Sequence, residues 1–191
     1  WDPFDIRMLA GSTMGILGYG DIGKAVARRG RALDMNVIAL RRRPGEPVEG
    51  AASEILGPEQ KLELIRRSDY LVVAAPLTPE TRGWIGEREL EAMKPSAVVI
   101  NVGRGAVIEE RALIRALEQR RIAGAALDVF EQEPLPASHP FYSLDNVLLS
   151  PHSADHTPDW LERAMRRFLE NFARFERGEP LVNVVDKRAG Y

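Results

Sequence analysis

Short apolar runs alternate along this chain with stretches in which apolar residues recur every three to four positions. The runs 13–17, 36–40, 69–75, 97–101, 124–129 and 146–150 have strand length and few polar interruptions. Such runs predict strands buried on both faces, as in a parallel sheet. The helical period predicts helices over 22–33, 58–67, 87–93 and 109–119, the last with Leu113, Ile114 and Leu117 at core spacing. A final helix, 158 to about 176, carries Leu161, Met165, Phe168, Leu169 and Phe172 on one face. Strand and helix in alternation predict an α/β domain with a doubly wound parallel sheet flanked by helices.

One junction carries chemistry. Gly18-Tyr19-Gly20-Asp21-Ile22-Gly23 follows the first strand and opens the first helix. The first glycine allows a tight turn, the second lets backbone N–H groups approach a pyrophosphate, and the third lets helix and strand pack closely. The positive end of the helix then faces the phosphates. Gly18, Gly20, Asp21, Ile22 and Gly23 are therefore candidate dinucleotide-binding residues, and the fold is Rossmann-like.

Bulk composition narrows the classes. With 191 residues, 45% of them apolar, the chain can bury one full core. Its 26 Lys and Arg against 28 Asp and Glu leave no basic field for nucleic acid or an anionic membrane. It has no cysteine, hence no disulfide and no thiolate chemistry, and no apolar run near the roughly 18 residues of a membrane span. Small molecules or protein are the expected partners, in a reducing compartment such as the cytoplasm. The start at Trp1 reads as a cut or processed end.

The end of the second strand selects the cofactor. A carboxylate about 20 residues past the loop hydrogen-bonds the ribose 2′-hydroxyl in NAD-binding versions. Here the strand runs out into Leu40-Arg41-Arg42-Arg43. Guanidinium groups accept a 2′-phosphate through charge-assisted bonds. Arg41 and Arg42 therefore point to NADP, with NAD still possible; the alternative is a solvated arginine run.

Three further segments lie at or after predicted strand ends: Ile100-Asn101-Val102-Gly103-Arg104-Gly105, Leu127-Asp128-Val129-Phe130-Glu131-Gln132-Glu133-Pro134, and Ser150-Pro151-His152-Ser153-Ala154. Open α/β sheets bind ligands beyond the carboxyl ends of their strands. With the glycine loop and Ala75-Pro76-Leu77-Thr78-Pro79-Glu80-Thr81, these segments resemble the D-isomer-specific 2-hydroxyacid dehydrogenase family, from about Leu9 to Asn183.

The resemblance implies hydride transfer between nicotinamide C4 and C2 of a small 2-keto or 2-hydroxy acid of the glyoxylate or hydroxypyruvate class. Arg104 matches the arginine that grips the substrate carboxylate, a task suited to a planar fork of donors. His152 matches the general acid/base and Glu133 the carboxylate that orients it. Asp128 matches a residue near the nicotinamide carboxamide. Pro76, Thr81, Val102 and Ala154 fall where the family lines the cofactor. No metal is expected, since no cluster of His and carboxylates has ligand spacing. His139 and His156 lack such company and read as structural or exposed, and Trp160 and the nearby phenylalanines as core or interface.

The resemblance also sets the expected organisation. Residues 1–12 resemble the family's dimer-forming segment, with a simple hinge as the alternative; 13–155 form the dinucleotide-binding domain; 156–191 return to a substrate lobe absent from this chain. A homodimer that binds NADP and turns over poorly alone is the expectation. The loop also looks like that of S-adenosylhomocysteine hydrolases, which would carry an acidic strand end instead of Arg41-Arg42. The rival function is that of the C-terminal-binding-protein corepressors in the same family, cofactor sensors that bind peptides.

Overall fold

The computed structural model describes residues 6–43 and 50–188. Its elements are β1 (Thr13–Leu17), α1 (Asp21–Ala32), β2 (Asn36–Leu40), β3 (Glu54–Leu56), α2 (Lys61–Arg67), β4 (Tyr70–Val73), α3 (Glu87–Ala92), β5 (Val98–Asn101), α4 (Glu110–Glu118), β6 (Gly124–Leu127), β7 (Val147–Leu149) and α5 (Trp160–Glu176). Seven parallel strands form one sheet in the order β3-β2-β1-β4-β5-β6-β7. The chain moves outward from β1 to β3, then returns to the other side of β1. That reversal opens a crevice beyond the carboxyl ends of β1 and β4.

Side chains alternate between the two faces of a strand, and residues paired in register share a face. The row Leu40–Leu17–Val73–Asn101–Leu127 is buried throughout. It lies among Leu64 and Ile65 of α2, Leu90 of α3 and Leu113 and Leu117 of α4. On the opposite face Ile16, Val37, Ala39 and Val72 pack with Ala27 of α1. The row on this face runs Ala39–Ile16–Val72–Ile100–Ala126–Leu148. Exposure along it climbs from 0% at Ala39 to 72% at Leu148: α1 packs on the β1–β2 side, and among the described residues no helix packs comparably on β6–β7.

Several elements differ from their sequence-based expectations. Six strands were expected and seven form: β3 is three residues long, too short to show a period. The run 58–67 divides into a 3-10 turn, Pro58–Gln60, followed by α2. The expected strand 69–75 is shorter, Tyr70–Val73, although Ala74 still donates its N–H to Leu17 O. Helix α5 forms where expected, but no core receives it: none of its residues is buried, and Trp160, Phe168 and Phe172 are about half exposed or more. Residues 1–5 of the proposed dimer segment lie outside the described residues. Ile6 and Met8, which follow, are exposed.

Candidate active site

The glycine loop is wedged between two strand ends. Gly18 donates its backbone N–H to Leu40 O at 3.1 Å, and Ala74 donates to Leu17 O at 2.8 Å. Gly18 has φ +100°, and a Cβ there would lie 2.6 Å from the Ala75 backbone nitrogen. A Cβ on Gly23 would fall 2.1 Å from Gly18 O, so α1 could not pack this close with a larger residue. Around Gly20, by contrast, a Cβ would meet nothing within 4 Å. The loop thus offers backbone and open space at the N-terminus of the 12-residue α1, with Asp21 and Ile22 exposed in its first turn. This cradle fits a dinucleotide pyrophosphate. Arg41 and Arg42 stand beside it at the end of β2, Arg41 anchored by its N–H to Leu56 O. Arg42 is exposed.

Beyond β4, Thr81 closes the loop that starts at Pro76. Its hydroxyl donates to Pro76 O at 2.6 Å and accepts the Thr78 N–H at 2.7 Å. Thr81 therefore shapes the wall of the crevice, and its hydroxyl is already engaged. Val102, half-buried, follows β5 and donates its N–H to Val73 O.

Arg104 sits on a loop held by Asn101. The Asn101 side chain is 1% exposed; it donates to Arg104 O and accepts the Gly103 N–H, both at 3.1 Å. Gly105 follows under a close approach, since a Cβ there would lie 1.9 Å from the Phe130 carbonyl carbon. Arg104 is exposed, with Nη1 donating to Gly103 O.

His152 and Glu133 meet. His152 Nδ1 is 2.6 Å from Glu133 Oε2, with the side chains 42% and 35% exposed. A carboxylate cannot donate, so Nδ1 carries the proton and Nε2 is left for exchange with a ligand. Glu133 Oε1 accepts the Phe130 N–H at 2.9 Å, which fixes the carboxylate plane. Burial raises the Glu133 pKa, but the bonds from His152 and Phe130 and the charges of His152 and Arg104 outweigh it, holding the group below the usual glutamate range. His152 itself has φ +49°, a region L-residues visit rarely. The pair opens onto a groove of about 640 Å³ bordered by Phe130, Leu135, Tyr142 and Pro151.

The backbone around His152 is tied down by Asp128. Its carboxylate accepts the Ser150 hydroxyl at 2.6 Å and the N–H groups of Ser153 and Ala154 at 3.1 and 3.3 Å. Desolvation raises the Asp128 pKa, and these three donors with the nearby His152 more than reverse it. Asp128 is 7% exposed. Ala154 enters this scheme through its backbone.

The structure thus gathers the sequence-derived residues along the carboxyl edge of one sheet, with the charges of both Arg104 and His152 acting on Glu133. It gives scaffold roles to Asn101, Ser150 and Glu110, to which sequence reasoning assigned none, and His139 is structural as expected, paired with Glu110. His139 Nδ1 accepts the Phe141 N–H, so Nε2 carries the proton it shares with Glu110 Oε1 at 3.0 Å. Glu110 Oε2 also accepts the Glu131 N–H. This second pair braces the loop that carries Glu133. His156 is exposed, as expected. Among the described residues no group of three His, Cys, Asp or Glu could hold a metal ion, and no helix is long and apolar enough to cross a membrane.

A family model described as "D-isomer specific 2-hydroxyacid dehydrogenase, NAD binding domain" matches residues 1–154. The chain belongs to the D-isomer specific 2-hydroxyacid dehydrogenases. Among curated members, the glyoxylate reductase of Aeropyrum pernix is 42% identical over 181 residues, 94% of this chain and 53% of that protein. The D-3-phosphoglycerate dehydrogenase of Methanocaldococcus jannaschii is 38% identical over 93% of this chain and 34% of its own length. The chain therefore spans about half or less of these 2-hydroxyacid dehydrogenases.

Solved structures of the family agree. A D-isomer specific 2-hydroxyacid dehydrogenase of Xanthobacter autotrophicus Py2, in complex with NADPH and MES, superposes with a TM-score of 0.91 at 39% identity, covering 100% of this chain and 77% of that one. The NADPH-dependent glyoxylate/hydroxypyruvate reductase of Sinorhizobium meliloti, in complex with NADP and sulfate, gives 0.91 at 33% identity, covering 100% of this chain and 60% of that one.

Proposed function

We propose that this chain is the NADP-preferring, proton-transferring part of a reductase for small 2-keto acids of the glyoxylate or hydroxypyruvate class. One observation carries the reading: the hydrogen-bonded His152–Glu133 pair, with Arg104 beside it, stands on the same sheet edge as a glycine loop flanked by arginines. The names of the relatives support the substrate class, and the NADP and NADPH complexes support the nucleotide.

Gly18, Gly20 and Gly23 with the first turn of α1 would hold the pyrophosphate, and Arg41 and Arg42 the 2′-phosphate. A nicotinamide held by these residues would supply the hydride, from its C4 to the substrate C2. Arg104 presents two N–H donors to the substrate carboxylate and draws charge toward the carbonyl. His152 Nε2 gives its proton to the carbonyl oxygen, completing the 2-hydroxy acid, and the Glu133 carboxylate stabilises the imidazolium that precedes this transfer. A homodimer joined through residues 1–12, supported by the exposed Ile6 and Met8, is part of the proposal. Its sign is elution near twice 21.3 kDa.

Side-by-side titration with NADPH and NADH tests the nucleotide assignment. The expected outcome is a preference for NADPH of about tenfold or more, or roughly 1.4 kcal/mol, that Arg41→Asp abolishes. Equal affinities in the wild type would make the arginines a solvated surface and overturn the preference.

A further inference from the structure

Glu110 transfers no proton in the chemistry above, yet it touches the loop that carries it. Between β6 and β7 the chain crosses residues 131–139 without helix or strand, and Glu133, the partner of His152, lies in this stretch. Glu110 fastens both ends of it with one carboxylate: Oε2 accepts the Glu131 N–H at 3.3 Å, and Oε1 lies 3.0 Å from His139 Nε2. The His139 ring continues the contact inward, 4.8 Å from the Phe141 ring, which in turn lies 6.3 Å from that of Phe130. Phe130 gives Glu133 its backbone N–H. Residue 130 is thus held from two sides, through its ring and through the peptide that joins it to Glu131. The platform under Glu110 is firm. It is the first residue of α4, Val107 and Ile108 just before it are buried, and Glu109 donates its N–H to Ile85 O.

We propose that Glu110 is a positioning residue for the proton transfer: by closing the 131–139 loop onto α4 it keeps the Glu133 carboxylate aimed at His152 Nδ1, and so keeps the ring's proton on Nδ1 and Nε2 free to exchange with a ligand. This deepens the assignment of His152 and Glu133 as the acid/base pair and rests on it. Leu135, on the far side of Glu133, packs against the core and anchors the loop independently. Loss of one Glu110 contact should therefore leave the loop in place and spoil the aim of the carboxylate.

The test is the tautomer ratio of the neutral His152 ring, read from its two nitrogen NMR shifts in the full chain, since the proton sits on the nitrogen whose hydrogen bond holds it. Glu110→Gln leaves one acceptor oxygen where there were two, so one of the two closures opens at nearly constant volume. A net hydrogen bond corresponds to about three- to tenfold in an equilibrium. The expected result is a fall of that size in the ratio of the Nδ1–H to the Nε2–H form. Glu133→Ala should abolish the preference outright, and adding Glu110→Gln to it should change the ratio no further, because the effect passes through Glu133. An unchanged ratio in Glu110→Gln, even with a lower melting temperature, would reduce Glu110 to a structural brace and overturn the inference. A further fall of equal size in the Glu133→Ala background would do the same, by showing another route to His152. Full turnover by an active form carrying His152→Gln would instead overturn the acid/base assignment, and the inference with it, whatever the tautomer ratios.

Discussion

Asp128 at the end of β6 and Ser150 just past β7 are joined by a 2.6 Å hydrogen bond from hydroxyl to carboxylate. Because the same carboxylate also takes the N–H groups of Ser153 and Ala154, His152 is suspended between its two attachment points. The placement of the acid/base thus depends on a charge behind it as well as on Glu133 in front.

That dependence has a pH signature. The folded-state pKa of Asp128 is depressed, so its contribution to stability is fully present above the ordinary aspartate range, near about 4, and is lost as pH falls through the lower folded value. Amide exchange at Ser153 and Ala154 should stay protected from neutrality through the ordinary aspartate range and open only as pH falls through the lower folded value. Asp128→Asn should raise exchange at one of the two amides already at neutral pH, since Ser153 and Ala154 bond different oxygens and an amide side chain keeps only one acceptor.

His152→Gln should lower turnover of an active form of the enzyme by about 10²–10⁴-fold while leaving the NADPH Kd unchanged, since glutamine cannot shuttle the proton. A variant with full rate would exclude His152 as the acid/base. Glu133→Gln tests the partner: with one acceptor oxygen in place of two, the side chain can serve His152 Nδ1 or the Phe130 N–H but not both, the charge that stabilises the imidazolium is gone, and a loss in kcat is expected.

Gly105→Ala should be costly although residue 105 touches no ligand. The added methyl would fall 1.9 Å from the Phe130 carbonyl carbon, and Phe130 supplies the N–H that orients Glu133. Overpacking of this kind costs roughly 1–3 kcal/mol. Thermal melting should show it, and the downfield Nδ1 proton resonance of His152 should broaden or shift with it.

Glu110→Ala removes the acceptor for both His139 Nε2 and the Glu131 N–H. The His139 and Glu110 side chains are only 13% and 18% exposed, so donors left unpaired there cost about 1–3 kcal/mol. The expected result is a lower melting temperature together with faster exchange at Glu131. Stability equal to the wild type would show that the brace is dispensable.

Much of the fold was legible because its signals are local. Glycines at 18, 20 and 23 form a short motif readable in six consecutive residues, and the apolar runs of β1, β2 and β4 declare burial on both faces. Strand β3 left no such trace in three residues. Asn101 read as part of a motif, yet its burial in an otherwise apolar row follows from the pairing of β4, β5 and β6. Glu110 and His139 are 29 residues apart, and only the packing of α4 against the loop after β6 brings them together. The amphipathic pattern of α5 gave the helix correctly but not its partner, since the same stripe serves equally for a core or an interface.

The climb in exposure from Ala39 to Leu148 has a practical meaning for anyone handling this domain. One end of this face is sealed and the other presents Leu148 to water, and Phe168, Leu169 and Phe172 of α5 are also bare. Exposed apolar surface of this sort drives self-association. Preparations of the isolated chain should scatter light increasingly with concentration and temperature, and mild detergent should suppress the scattering without disturbing the glycine loop, which lies on the sealed side.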